Sequence, residues 1–310
     1  MNTELNTLLD KVITRYNNKR TYDNYFEYIY PFTTENINGY INNFDLENKS
    51  LLTVGSSADQ VINSAYYNCK NQTVIDICPF SKYYFYLKKA GLLELEIHEF
   101  ASYFCYKNFP ISFVENKRVF NIEFFDRIKG ILNELDNESY LFWNELYEKM
   151  VPEDIRCILF NMDEERIRVL KEINFYLKDR ATYDKIKYKI RDINPNFICE
   201  DIFKIEINGK FDNIWLSNIG AYNSVEDMRK LVEKLSNNLN INGKLLIAYL
   251  YDTVKNSSFN ENWATIYNLD KTNEILKDYI SDFITFPGVK GILHETDNIK
   301  DSVLIYKKIK

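Results

Sequence analysis

The stretch from Leu51 to Lys82, LLTVGSSADQVINSAYYNCKNQTVIDICPFSK, constrains the fold more than any other part of the chain. Leu51-Leu52-Thr53-Val54 reads as a buried strand, and Gly55-Ser56-Ser57 as a tight turn. Val61, Ile62 and Ala65 then recur at helical spacing, and a second β-branched run, Thr73-Val74-Ile75, ends on Asp76. Strand, glycine turn, helix, strand and acid is the order of a nucleoside-binding βαβ half. Asp76 lies 21 positions after Gly55, close to the roughly 20 that separate a turn glycine from a ribose-binding acid. Ser57 and Gln60 have the spacing of a capping box, which would start the helix where a ligand meets its N-terminus.

The turn narrows the ligand class. A dinucleotide fingerprint uses three glycines, two of which let the backbone approach a pyrophosphate. Here Ser57 and Asp59 stand where further glycines are expected. An acid beside the turn repels a pyrophosphate but tolerates a cation. The expected ligand is therefore S-adenosylmethionine, which carries a sulfonium and an ammonium and no phosphate. A plain strand–helix–strand unit that binds nothing is the alternative reading of this stretch.

A chain of 310 residues, 45% of them hydrophobic, can build a sizeable core as one enlarged domain or two small ones. Its 24 tyrosines and 21 phenylalanines are read first as packing. The net charge of −6 provides no field that would draw nucleic acid or anionic lipid. Five cysteines, scattered and without a C-x-x-C pair, argue against both a zinc site and a disulfide framework. The first twenty residues lack a signal-peptide core, and no apolar run approaches the ~20 residues of a membrane span. The expectation is a cytoplasmic protein with reduced thiols.

Helical periodicity covers residues 1–30, and a short helical pattern follows Pro31. This leading segment is expected either to fold over the carboxyl edge of the sheet as part of a lid or to pack as a helical layer. After Asp76, Pro79 suits the first turn of another helix. Residues 98–193 break the α/β alternation and read as helices over 121–135, 138–149, 153–160, 164–178 and 182–192. The alternation resumes with strands at 196–201, 211–219 and 244–250. A helix near 271–281 and two short strands close the chain, the last expected to insert antiparallel. The expected fold class is α/β, a Rossmann-like, mostly parallel sheet with a terminal antiparallel strand and a helical insertion. The expected division is an N-terminal helical segment (1–50), a nucleoside-binding domain (51–97 and 194–310) and a helical insertion (98–193).

LLTVGSSADQ, VIDICP, CEDIF, IWLSNIGAY and LIYKK fall in the order of the class I S-adenosylmethionine-dependent transferase motifs, which this chain resembles. Ser81–Phe104, SKYYFYLKKAGLLELEIHEFASYF, more narrowly resembles the DUF3419 family, which includes betaine-lipid 3-amino-3-carboxypropyl transferases. The resemblance implies S-adenosylmethionine as cofactor, with Gly55 and Ser56 against its methionine part and Asp59 near its ammonium. It implies Asp76 on the ribose hydroxyls, Ile77 on adenine, and Asp201 and Ile202 at the adenine amino group. Asn218, with Tyr222 nearby, would face the reacting centre. The implied activity is transfer of a methyl or 3-amino-3-carboxypropyl group to a small-molecule or lipid-like acceptor. Aromatic residues of the insertion (Phe142, Trp143, Tyr147, Phe175, Tyr176) are the expected acceptor pocket. A non-catalytic binding protein is the main alternative. An RNA-modifying enzyme using the basic stretch Lys178–Arg191 is a weaker one, since a solvated helix face accounts for those charges.

Overall fold

The computed structural model describes residues 3–18, 28–55, 57–104, 120–160, 170–248, 279–289 and 300–310. Seven strands form one sheet in the order β3-β2-β1-β4-β5-β7-β6. β1 (Ser50–Val54), β2 (Asn71–Asp76), β3 (Asn196–Cys199), β4 (Phe211–Trp215) and β5 (Leu239–Ile247) run parallel. β7 (Lys300–Lys308) lies antiparallel between β5 and β6 (Tyr279–Pro287). From β1 the chain moves outward through β2 and β3, then crosses back to β4, so the strand order reverses between β1 and β4. That reversal is the topological switch point at which open α/β sheets bind ligands. The mostly parallel sheet with its inserted antiparallel strand is the class I methyltransferase fold.

Alternation along the strands sorts side chains onto two faces. Leu52, Ile214, Leu245 and Leu304 pack with Met228, Leu231, Val232 and Leu235 of α11 (Val225–Ser236). On the other face Leu51, Trp215, Leu246 and Ile305 meet Ile37 and Tyr40 of α2 (Ile37–Tyr40). Val74 joins a larger cluster built on α1 (Thr3–Asn17), α3 (Asp59–Tyr66) and α4 (Ser81–Glu94). The same cluster takes in α5 (Ile97–Phe104), α6 (Ile122–Leu135), α7 (Asn137–Lys149), α8 (Pro152–Leu159), α9 (Leu170–Ile173) and α10 (Arg180–Ile190). Asn121, Asp136 and Asp179 cap α6, α7 and α10 by accepting from Glu123, Ser139 and Thr182 backbone N–H groups.

The fold departs from the periodicity in three places. Of the helix expected over 164–178, residues 164–169 lie outside the described ones, and the rest is broken at Asn174. This buried residue accepts from Asn63 Nδ2 (3.0 Å) while the Phe175 N–H donates to Asn63 Oδ1 (3.1 Å). The bonds lock a 3₁₀ turn at Phe175–Leu177 in place of a continuous helix. The helix expected near 271–281 falls largely outside the described residues, and Tyr279 already opens β6. Third, three of the five aromatic residues expected to line an acceptor pocket are core. Phe142, Trp143 and Tyr176 are fully buried in the cluster that includes α3 and α4. Trp143 Nε1 donates to the Tyr83 carbonyl at 2.9 Å, and Phe175 packs edge-on against Tyr66.

One buried ion pair ties these parts together. Lys88 Nζ, on α4, lies 2.6 Å from Asp59 Oδ1 at the start of α3, and both side chains are fully excluded from solvent. The ammonium also donates to the carbonyls of Pro31 and Ser57, each at 2.9 Å. Asp59 in turn accepts from the Tyr176 hydroxyl at 2.6 Å and the Thr33 N–H at 2.5 Å. The leading segment, the glycine turn, α3, α4 and the insertion thus meet at a single neutralised node. Lys88→Met keeps the volume but strands the Asp59 charge, and is expected to cost about 3–5 kcal/mol. Adding Asp59→Asn should recover part of that loss; equal urea midpoints for single and double variants would show that the pair is not what joins these elements.

Candidate functional site

A cavity of about 460 Å³ opens at the carboxyl edge of the sheet, above the switch point, within the ~300–1,000 Å³ of small-molecule sites. Val54 closes β1 beneath it, and Ile75, Asp76, Ile77 and Cys78 line it from the end of β2. Glu200, Asp201, Ile202, Phe203 and Lys204 follow β3, and Ser217, Asn218, Ile219 and Asn223 follow β4. Tyr28, Tyr30, Thr33 and Thr34 form the remaining wall, with Gln60 reaching in from α3. The leading segment therefore does lie over the edge of the sheet. It is pinned there by its bonds to Lys88 and Asp59 and by the Ile29 N–H to Leu159 carbonyl bond at 2.9 Å.

Asp76 is the acid that the spacing singled out, and its surroundings are distinctive. It is only 8% exposed. Oδ1 accepts from the Cys78 N–H at 2.9 Å, whereas Oδ2 is buried with no donor among the described residues. Burial pushes its carboxyl from 3.8 up to about 6, against the pull of nearby backbone donors. Gly55 follows β1 beside it, where a Cβ would collide with Val74 Cγ1 and come within 3.4 Å of Asp76 Oδ2. The glycine is thus required by the approach of β1 to β2 at this carboxylate rather than by a phosphate. Ile77 is 45% exposed and offers an apolar surface at the rim. The Cys78 thiol, buried beside Asp76, is pushed up and is no nucleophile at neutral pH.

Five of the expected site residues line one cavity: Asp76, Ile77, Asp201, Ile202 and Asn218. Asp201 also accepts from the Phe203 N–H at 3.0 Å and pairs with the exposed Lys204 at 3.0 Å. Ser56 lies outside the described residues, as does the side chain of Tyr222, whose backbone ends a 3₁₀ turn. Asp59 is a correction. It faces Lys88 inside the protein, not the cavity, so its charge is already spent on the node. The capping box is not formed either. α3 begins after Ala58, held at φ 66°, and Ser57 Oγ accepts from the Asp59 N–H at 3.3 Å. Gln60, freed from capping, turns the other way.

That turn reveals residues the sequence did not mark. Gln60 Nε2 donates to Glu35 Oε2 (3.1 Å) and Ser217 Oγ (3.3 Å), which leaves Gln60 Oε1 buried without a donor. Ser217 Oγ donates to Glu35 Oε2 at 2.7 Å, and Trp215 Nε1 to Oε1 at 3.4 Å. The Tyr40 hydroxyl bonds the same Oε1. Burial raises the Glu35 carboxyl, and these four donors oppose the rise. Ser217 takes a left-handed backbone, φ 52°, held by the Ala248 N–H on its carbonyl at 2.9 Å. Only the position of Ser217, one residue before Asn218 at a strand end, hinted at this cluster.

Elsewhere the basic stretch is tied down. Lys185 bonds the Tyr66 hydroxyl, and Lys187 and Lys189 bond the carbonyls of Leu95 and Tyr66. Among the described residues no group of three or more metal-binding side chains occurs, and no helix is long and apolar enough to cross a membrane.

No protein-family profile matches the chain, and no curated protein matches it. Among solved structures it overlaps the N-methyltransferase NodS of Bradyrhizobium japonicum WM9 with S-adenosyl-L-homocysteine. That overlap has 11% identity, covers 84% of this chain and 79% of the other, and has a TM-score of 0.36. The magnesium protoporphyrin IX methyltransferase of Synechocystis PCC 6803 with bound S-adenosylmethionine overlaps at 9% identity, over 86% and 74%, with a TM-score of 0.37. Overlaps this loose carry no argument, and the fold assignment stands on the strand order and the antiparallel β7.

Asp76 is held at a cost that can be measured without any ligand. Its raised carboxyl means that the unfolded chain ionises first, so the native state loses stability as pH rises from about 4 through about 6. Asp76→Asn is therefore expected to stabilise the protein by up to about 3 kcal/mol at pH 7.5, with the gain vanishing below pH 4. Denaturant melts at both pH values check this; a loss of stability at pH 7.5 would contradict it.

Proposed function

We propose that the chain is an S-adenosylmethionine-dependent transferase acting on a small-molecule or lipid-like acceptor. The observation that carries this reading is Asp76 on the cavity wall at the end of β2, beside the switch point, its Oδ2 buried with no donor among the described residues. A carboxylate in that state wants a donor, and a ribose diol supplies two. The cofactor fits the remaining wall as well. Ile77 and Ile202 offer apolar contact for adenine, and Asp201 can exchange its exposed lysine for the adenine amino group. Gln60, whose side chain lines the cavity, is proposed to meet the ammonium in the place first expected of Asp59.

When bound, this cofactor supplies an electrophilic carbon on sulfur, so the chain need not furnish a strong acid. Its own residues bind the nucleoside, exclude water and hold the acceptor at near-attack distance. Asn218, beside Ser217 on the cavity wall, and Tyr222 are the residues proposed to meet the acceptor. The resemblance of Ser81–Phe104 to the betaine-lipid transferases supports aminocarboxypropyl transfer, although that block folds as α4 and α5 and is mostly core. The fold class equally supports methyl transfer.

Labelled cofactor incubated with the protein and a cell extract separates the two. Methylthioadenosine as product means aminocarboxypropyl transfer, and S-adenosylhomocysteine means methyl transfer. Calorimetry should show S-adenosylhomocysteine binding that weakens below pH about 6 as Asp76 protonates. Asp76→Ala should weaken it roughly 100-fold. Absence of binding to the wild type overturns the proposal; binding without either product in several extracts favours a non-catalytic binding protein.

A further inference from the structure

Two acids are buried beside the cavity, and they are treated differently. Asp59 has its cation, Lys88 at 2.6 Å. Glu35, 2% exposed, has four donors and no cation among the described residues. Its donors are neutral: two hydroxyls, an indole and an amide. Burying a carboxylate in this way is costly unless a positive charge completes the site. None of the three elements that supply these donors offers one. Tyr40 comes from α2, Gln60 from α3, and Trp215 and Ser217 from the end of β4.

Glu35 does not touch the cavity itself. Ser217 and Gln60 do, and they form a wall one side chain thick between the carboxylate and the cavity. Their donor atoms are turned inward to Glu35, and Gln60 Oε1 is itself shut off from solvent with no donor among the described residues. The wall thus keeps an acidic side chain one residue behind the cavity surface. A preorganised arrangement of this kind stabilises positive charge without having to rearrange. It lies two strands from Asp76, across β1, which is about 10 Å at ~4.8 Å per strand.

We infer that Glu35 is the buried counter-charge for an organic cation seated against Ser217 and Gln60, at the end of the cavity away from the nucleoside. This rests on the nucleoside reading of Asp76 given above. Two groups of the cofactor's arm have the required chemistry, the sulfonium and the α-ammonium, and the choice between them is left to the experiment. Glu35 is a positioning and selectivity residue, since it acts through Ser217 and Gln60.

Calorimetric titration of the full chain with three probes tests the inference. S-adenosylmethionine carries both cations, S-adenosylhomocysteine only the ammonium, and methylthioadenosine neither. The wild type should bind at least one arm-bearing probe at least tenfold more tightly than methylthioadenosine. Glu35→Gln should lower that advantage at least tenfold while leaving methylthioadenosine unchanged, and Glu35→Asp should restore part of it. Loss confined to S-adenosylmethionine assigns the sulfonium; equal loss for both arm-bearing probes assigns the ammonium. The inference is overturned if all three probes weaken alike, or if none does. Should Glu35→Gln fail to fold in a thermal melt, the wild type decides: no preference for arm-bearing probes overturns the inference, and a tenfold preference supports it. A wild type that binds none of the three probes defeats the nucleoside reading itself, whereas tight methylthioadenosine binding without arm preference defeats only the role of Glu35.

Discussion

The contact between Lys88 and Asp59 organises this protein because it neutralises two charges where no water reaches. A fully desolvated ammonium needs a carboxylate and several carbonyls, and with Tyr176 on the same carboxylate the node draws on four separate parts of the chain. Its geometry dictates where Pro31 and Thr33 lie, and hence where Thr34 and Glu35 lie. The cavity wall follows from that placement. Lys88 also sits 4.0 Å from the Phe32 ring centroid, which adds a cation–π contact to the same clamp. The leading segment is held by charge and hydrogen bonds, and its position over the sheet is a property of the core.

The sheet was readable because its signals are local. β-branched runs of four to six residues, a glycine between the first strand and helix, and an acid at a strand end each declare themselves within a short window. Asp76 was found by counting from Gly55, and both proved adjacent in space because β1 and β2 pair in register from Ser50 with Asn71 onward. Three helix spans of the insertion, 121–135, 138–149 and 182–192, also followed from periodicity, and Asn121, Asp136 and Asp179 cap them in the structure.

What the sequence concealed depends on long-range partners. Asp59 looks like a ligand-facing acid in a turn because nothing nearby in sequence explains it, and its explanation stands on α4. Gln60 has the spacing of a cap residue, yet a buried carboxylate from the leading segment offers it a stronger bond than the helix end does. The aromatic residues of the insertion have the composition of a pocket, but composition cannot say which side of a helix faces a void. Glu35 had no motif at all. Its meaning comes entirely from what β4 and α3 place around it.

The bond between Ser217 and Glu35 joins positions 182 apart in the chain. On the ribosome, residues 28–36 meet Tyr40, Asp59 and Gln60 early, but their set of partners is complete only when the polypeptide has grown through Lys88, then Leu159, and finally Trp215 and Ser217. Local helices can form while synthesis proceeds, whereas closure of so large a loop must wait. A segment made before the first strand is therefore completed late, and the chamber it walls cannot exist in any nascent chain shorter than the fourth strand.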